Sequence, residues 1–350
     1  MKSLHFTAKK RGTYTIQLHY SILWETALGI AAYTNKPLLH TLSKPENEWE
    51  DLGQSLSLEL QTELHRVERH NTWKALLQLL HAEKMDSLDD FSSFVNSLKD
   101  AELLFICLPY LGEAFQEIRK KAANGEDAAL QTLIEEAGSH SFFPDYLTYI
   151  AKQEPGNLKK HLLNVLSFWY EEVVREQEEE ILKVLKRDYD SMLTLSKTLH
   201  AEAFVERATG GVEYLPEPGV PEVLLIPQLI YRPWAVEADI EHTKVFYYPV
   251  SNESLHHKDR YAPPQQVVLK HKAIGDEVRL RILKMLFEKE HTLQELTEKL
   301  ELGKSTVHHH LKLLKAARLI ESQGSKHRIR KNSLEALLTE LNGYLKGETP

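Results

Sequence analysis

The chain has a single cysteine, Cys107, in 350 residues, which excludes an intrachain disulfide and any metal cage built from several thiolates. That thiol lies among Leu104, Phe105, Ile106 and Leu108, so a buried, unreactive role is expected. Long apolar runs are missing too. The nearest, Leu103–Leu111 (LLFICLPYL), falls well short of the roughly 18 residues a membrane-spanning helix needs, and no membrane partner is expected. The segment Met1–Gly12 carries Lys9, Lys10 and Arg11 but no apolar core or cleavage site behind them, which predicts a cytoplasmic protein. There is no phosphate-cradling glycine-rich loop, no HExxH and no GxSxG, so the sequence predicts no enzyme, no catalytic residues and no cofactor. Glu171, Glu172 and the run Glu176 to Glu180 (EQEEE) read as a solvated helix face. Trp24, Trp73, Trp169 and Trp234 are scattered as core residues usually are.

Acidic charge dominates the total, at −8, yet its distribution matters more than its sum. Lys270–Pro350 holds 16 Lys+Arg against 11 Asp+Glu, and Lys304–Lys331 holds eight Lys/Arg against Glu321 alone. A local field of that sign attracts phosphate within a screening length of about 8 to 10 Å. The length itself predicts more than one domain.

Thr13–Tyr20 (TYTIQLHY) partly alternates and is rich in β-formers, which predicts a strand; helix follows from Ser21. Helical periodicity then recurs through Glu48–His81, Ser87–Lys99, Leu111–Ala123 and Asp127–Ala137. From Asn157 to Arg207 there is almost no breaker, and one or two long helices are expected. Gly210-Gly211 and Pro216, Pro218 and Pro221 close that region. Val223–Leu229 and Lys244–Val250 are β-branched or aromatic runs bounded by proline, which predicts a small antiparallel unit; Ser251–Gln266 reads as a connector. The expected organisation is a mainly α chain with small β elements (α+β): a helical sensing or dimerising body over 1–209, a small antiparallel β unit with connector over 210–262, and a winged helix-turn-helix over 263–350.

That last segment carries the clearest pattern. A helix is predicted over Asp276–Phe287 with Val278, Ile282, Met285 and Leu286 inward. Thr292-Leu293-Gln294-Glu295 is a capping-box sequence opening a short helix to Leu300. Glu301-Leu302-Gly303 supplies a glycine for the tight turn that follows. In Lys304–Ala317 the spacing of Val307, Leu311 and Leu314 turns one face to the core. The opposite face then bears Lys304, Ser305, Thr306, His308, His309 and Lys312, groups able to reach base edges or phosphates, while His310 flanks the buried stripe as a packing residue. Leu319–Ser322, Gly324-Ser325 and Lys326–Arg330 form a hairpin pattern whose Lys326, Arg328 and Arg330 suit phosphate contact. The final helix, Leu334–Leu345, displays Leu334, Leu337, Leu338, Leu341 and Leu345 along one face, part of which is available for a dimer seam.

The stretches AIGDEVRLRIL (Ala273–Leu283) and TLQELTEKLELGKSTVHHHLKLLKAARLI (Thr292–Ile320), with the basic hairpin after them, resemble the winged-helix domain of the ArsR (arsenic repressor-like) family of bacterial regulators. The resemblance covers about Val267–Leu345. It implies a homodimer bound to double-stranded DNA at a twofold-symmetric operator, and repression relieved by an effector, here unknown. It places Ser305, Thr306, His308 and His309 at base-facing positions and Arg328 and Arg330 in the wing. Two departures are visible. The paired cysteines of the metal-sensing members are missing from Thr292–Leu300, and Arg318 stands where the family usually has glycine before the wing. Two alternatives stay open: a metal-responsive regulator using His and carboxylate ligands, or a winged-helix protein-interaction module fused to an uncharacterised enzymatic domain. The 18 histidines include His256-His257 and His308-His309-His310, but neighbouring helical residues point about 100° apart, so no metal site is expected at the triplet.

Overall fold

The computed structural model describes residues 13–347. Its centre is a helix, Ile22–Thr34, that starts where Ser21 accepts a hydrogen bond from the Leu23 N–H at 3.2 Å. This helix is apolar on most of its surface and every residue but Tyr33 is buried, as expected for a helix enclosed on all sides; its buried Glu25 carboxylate accepts from the Leu229 N–H at 2.9 Å. Close approach is needed along it. A Cβ on Gly29 would lie 2.8 Å from the Trp169 indole nitrogen, so only glycine lets the helix Pro155–Trp169 pack there. Around this pair the helices Leu58–His70, Trp73–Ala82, Leu88–Ser97, Asp100–Cys107 and Phe143–Lys152 contribute to one continuous core. Cys107 is buried within it, and the apolar surroundings push its thiol up to about 12. The helix after Trp169 loosens into a π turn, Tyr170–Val174, and a 3₁₀ turn, Arg175–Gln177, before Glu178–Leu195 and Ala201–Thr209. Glu171, Glu172, Glu176, Glu179 and Glu180 are exposed, as expected of a solvated face.

A four-stranded sheet joins both ends of this body. Strands β1 (Thr15–Leu18), β2 (Glu222–Gln228), β3 (Val236–Ile240) and β4 (Thr243–Pro249) lie in the order β1-β2-β4-β3. The expected antiparallel unit is instead mixed: β1 and β4 both run parallel to β2, and only β3 and β4 are antiparallel. The reason is burial on both faces. Ile226, Val245 and Tyr247 face the helical core, while Val223, Leu225, Phe246 and Tyr248 pack against Phe204, Val205 and Ala208 of Ala201–Thr209. Strands covered on both sides read as continuous apolar runs, the pattern of a parallel sheet with helices on each face. The strand near the N-terminus thus belongs to the sheet of the 210–262 segment, with Thr15 opposite Glu222.

The C-terminal module has its own core, built from Ile282, Leu283, Leu286, Leu296, Leu300, Val307, Leu311, Leu314 and Leu319. Three helices, Glu277–Glu288, Leu293–Leu300 and Lys304–Ala316, surround it with a small antiparallel sheet. That sheet has the order β5 (His291–Thr292), β7 (Lys326–Ile329), β6 (Ile320–Gln323). An entry helix, Gln265–Ile274, and the closing helix, Leu337–Lys346, flank it. They are joined by Lys270, whose buried ammonium lies 2.7 Å from Glu340 Oε1 and donates to the Ser333 carbonyl at 3.2 Å. Among the described residues no helix is long and apolar enough to cross a membrane.

Candidate nucleic-acid interface

Local chemistry sets the two helices that frame the site. Asp276 accepts from the Arg279 N–H at 2.9 Å and starts Glu277–Glu288. Thr292 Oγ1 accepts from the Glu295 N–H at 3.2 Å, and Glu295 accepts from the Thr292 N–H at 2.7 Å, which completes the capping box. The turn that follows departs from expectation. Gly303 has φ −63, ordinary for any residue, and the left-handed position is taken by Glu301 at φ 56. Glu301 closes Leu293–Leu300 there, a conformation that costs about 1 kcal/mol outside glycine.

The helix Lys304–Ala316 presents the expected two faces. Val307, Leu311 and Leu314 are buried, and Lys304, Ser305, Thr306, His308 and His309 are exposed. His310 is half-buried with its Nδ1 3.8 Å from Asp276. Along this outward face the environment changes. Its first turn is open to solvent, but the His309 ring lies 6.4 Å from that of His40, and the Lys312 ammonium sits over the Trp234 ring at 4.4 Å. The N-terminal body therefore abuts the last turns of the helix.

The hairpin forms as the Gly-Ser signal predicts. Gln323 pairs with Lys326 across a two-residue loop in which Gly324 takes φ 60, the conformation a primed hairpin turn requires at its first position. Its three predicted phosphate-binding cations differ in their surroundings. Lys326 is exposed. Arg328 is part-exposed and ion-paired with Glu321. Arg330 turns away from solvent, to Glu206, to Glu213 at 3.1 Å and to Glu321 at 3.3 Å. At the base of the hairpin, Arg318 takes φ 57, the backbone conformation for which glycine is favoured. Its guanidinium donates to the Arg207 carbonyl at 2.8 Å, and burial pulls it down to about 10.

Residues 276–322 match the family model described as bacterial regulatory protein, arsR family. The C-terminal module contains an ArsR-type helix-turn-helix domain. No curated protein and no solved structure matches the chain. An ArsR-type domain is one of a DNA-binding regulator family, and the matched span contains Lys304, Ser305, Thr306, His308, His309 and Lys312. Lys326, Arg328 and Arg330 lie just past it.

Sequence reading left out His40, Glu206 and Glu213 and took Trp234 for a core residue; all four meet the ArsR-type module from far upstream. Nothing local marks them, because their role comes from the tertiary fold. Folding also assembles side chains elsewhere. Thr72 Oγ1 lies 2.7 Å from His161 Nε2, and the other ring nitrogen of His161 contacts Glu63. With Nδ1 protonated toward Glu63, Nε2 accepts from the Thr72 hydroxyl. Thr72 and His161 are sealed within the protein, so this relay ties three helices together beneath the surface. Glu113, Glu241 and His242 bring ligand atoms within 4.8 Å of one another, all exposed. His256 and His257 are exposed in the connector.

Proposed function

We propose that this chain is a sequence-specific DNA-binding transcriptional regulator that acts as a homodimer and represses until an effector binds its N-terminal body. The observation that carries the reading is the helix Lys304–Ala316, whose aliphatic stripe is buried while its first turn offers Lys304, Ser305, Thr306 and His308 to solvent. Hydroxyls, imidazoles and ammonium groups at that end of a recognition helix suit base edges and phosphates in a major groove. The surplus of basic residues over Lys304–Lys331 supplies the sequence-independent attraction. The dimer clause is supported by Leu338 and Leu345, 71% and 69% exposed on the closing helix, an apolar face for a second copy. The protein works in the cytoplasm, by binding rather than catalysis.

The reading is tested by a gel shift of the purified full-length chain with DNA from upstream of its own coding sequence, run with and without chelator. A retarded band that survives excess random duplex is the expected result. Chelator leaves it unchanged. Absence of any sequence preference overturns the reading. Light scattering tests the dimer, and Leu338→Glu with Leu345→Glu is expected to return monomer.

A further inference from the structure

Between the N-terminal body and the ArsR-type module lies a cavity of about 730 Å³, within the range of small-molecule sites. Trp234 and Leu215 line it from the body, and Lys312 and Lys315 line it from the helix Lys304–Ala316, with the entry helix Gln265–Ile274 contributing Gln266 and Lys270. Three residues apart on a helix, these two share a face.

Their charge is uncompensated. Of the other cations on the lining, Arg328 is paired with Glu321 and Lys270 with Glu340, while Arg207 and Arg318 have no carboxylate at ion-pair distance among the described residues. Of the lining carboxylates, Glu213, Glu237, Glu321 and Glu340 are held by Arg330, Lys244, Arg328 and Lys270, which leaves Glu253. Among the described residues neither Lys312 nor Lys315 has a carboxylate within ion-pair distance, and burial without a counter-charge draws both ammonium groups below the usual lysine range. One further donor on the cavity lining, Arg318 Nε, is buried without a partner. Such a group is costly to leave unmatched, and a ligand anion accepts from it as well as from the two ammonium groups. The body side is mixed, with Leu215, Pro233 and Trp234 beside Glu237 and Glu253, so the ligand carries an apolar portion as well.

We propose that this seam cavity binds a small organic anion, an acidic head on an apolar ring or chain, with Lys312 and Lys315 holding the head and Trp234 the apolar portion. The site rests on the regulator reading only in being called the effector site. There the consequence follows from linkage. Lys312 is also on the DNA-facing side of its helix, so the anion and the duplex compete for it, and an occupied cavity bridges the module to the body. Whatever factor the anion takes from DNA affinity, DNA takes from anion affinity.

The probe is 8-anilinonaphthalene-1-sulfonate, titrated into the full-length chain and followed by its own emission and by energy transfer from tryptophan, with the uncharged N-phenyl-1-naphthylamine as control. Saturable binding of the sulfonate is expected. Lys312→Gln and Lys315→Gln each weaken it by about tenfold, Lys315→Arg retains it, Trp234→Leu reduces energy transfer, and the neutral control ignores the lysine changes. Both lysines reach solvent, so these variants keep the native circular dichroism. Sulfonate affinity unchanged in the doubly substituted Lys312→Gln, Lys315→Gln chain overturns the site. In a gel shift the bound sulfonate is expected to weaken the operator complex at least threefold. Operator binding that ignores a saturated cavity overturns the effector role. A chain that binds the sulfonate through these lysines yet retains no DNA preference supports the site and removes the regulator reading.

Discussion

Arg330, the residue just after strand β7, reaches across the seam to Glu206 on a helix of the N-terminal body. Its side chain is only 13% exposed, and the guanidinium also meets Glu213 at 3.1 Å. One of the cations expected to grip phosphate is thereby held by the body's carboxylates, so the acidic body is expected to compete with an acidic duplex for the same group.

Glu206→Gln with Glu213→Gln releases that grip. The seam is expected to weaken by about 1 kcal/mol, the upper end for a part-exposed ion pair, and Arg330, left with Glu321 alone, to steepen the dependence of log affinity on log salt by up to about one unit. Hydrogen exchange over Gly210–Val212 and salt-dependent DNA titrations check this. Unchanged exchange and an unchanged slope together contradict the rivalry.

Thr306→Ala and His309→Ala are expected to act on base reading. Each is expected to narrow the gap between operator and random duplex by about 1 to 3 kcal/mol per lost base contact. Lys326→Ala is expected to weaken both duplexes alike, since a phosphate contact carries no sequence information. Competition binding with the two DNAs separates the cases, and equal weakening by Thr306→Ala would remove that residue from direct readout.

Leu311 lies at the middle of the module's buried stripe. Leu311→Ala is expected to cost about 2 to 5 kcal/mol through lost burial and the cavity left behind, against about 1 kcal/mol for Thr292→Ala at the helix cap. All five tryptophans precede the module. Urea denaturation should therefore shift the far-ultraviolet circular dichroism of the Leu311→Ala chain more than its tryptophan fluorescence. Coincident shifts of equal size would mean that module and body unfold as one unit.

His81 is enclosed between Trp24 and Tyr247, with its Nε2 2.7 Å from the Tyr247 hydroxyl. Burial draws its imidazole down to about 3 from an ordinary 6.5. A depressed base is neutral in the fold while the unfolded chain takes up a proton, so its stabilisation is complete above pH 6.5 and is lost as pH falls from there toward 3. Replacing His81 with Gln should flatten stability over that interval. A denaturation series between pH 7 and pH 4 measures it, and identical slopes in the two proteins would show that the group does not titrate as described.

The ArsR-type module was legible because its signals are local. The Thr292–Glu295 capping box, the Val307–Leu311–Leu314 spacing and the Gly324-Ser325 turn each place an element within a few residues of the signal, where backbone hydrogen bonds and periodic burial act. The β-rich runs Val223–Leu229 and Lys244–Val250 were legible as strands, but their direction was not. The clue was their unbroken apolar character, which marks a sheet buried on both faces. Glycine at position 303 misled for a related reason: the turn needs one left-handed residue, and the tertiary fit assigns it to Glu301.

The sequence by itself determined the local elements, the basic surplus of the C-terminal segment and the two faces of the helix Lys304–Ala316. Tertiary structure alone decided that Thr15–Leu18 runs beside Glu222–Leu225, that Arg330 is held by Glu206, and that Lys312 meets Trp234 over a cavity. Such pairings join residues far apart in the chain, and their energy arises only once the loops between them have closed and the apolar surfaces have met. No local pattern in either partner encodes them.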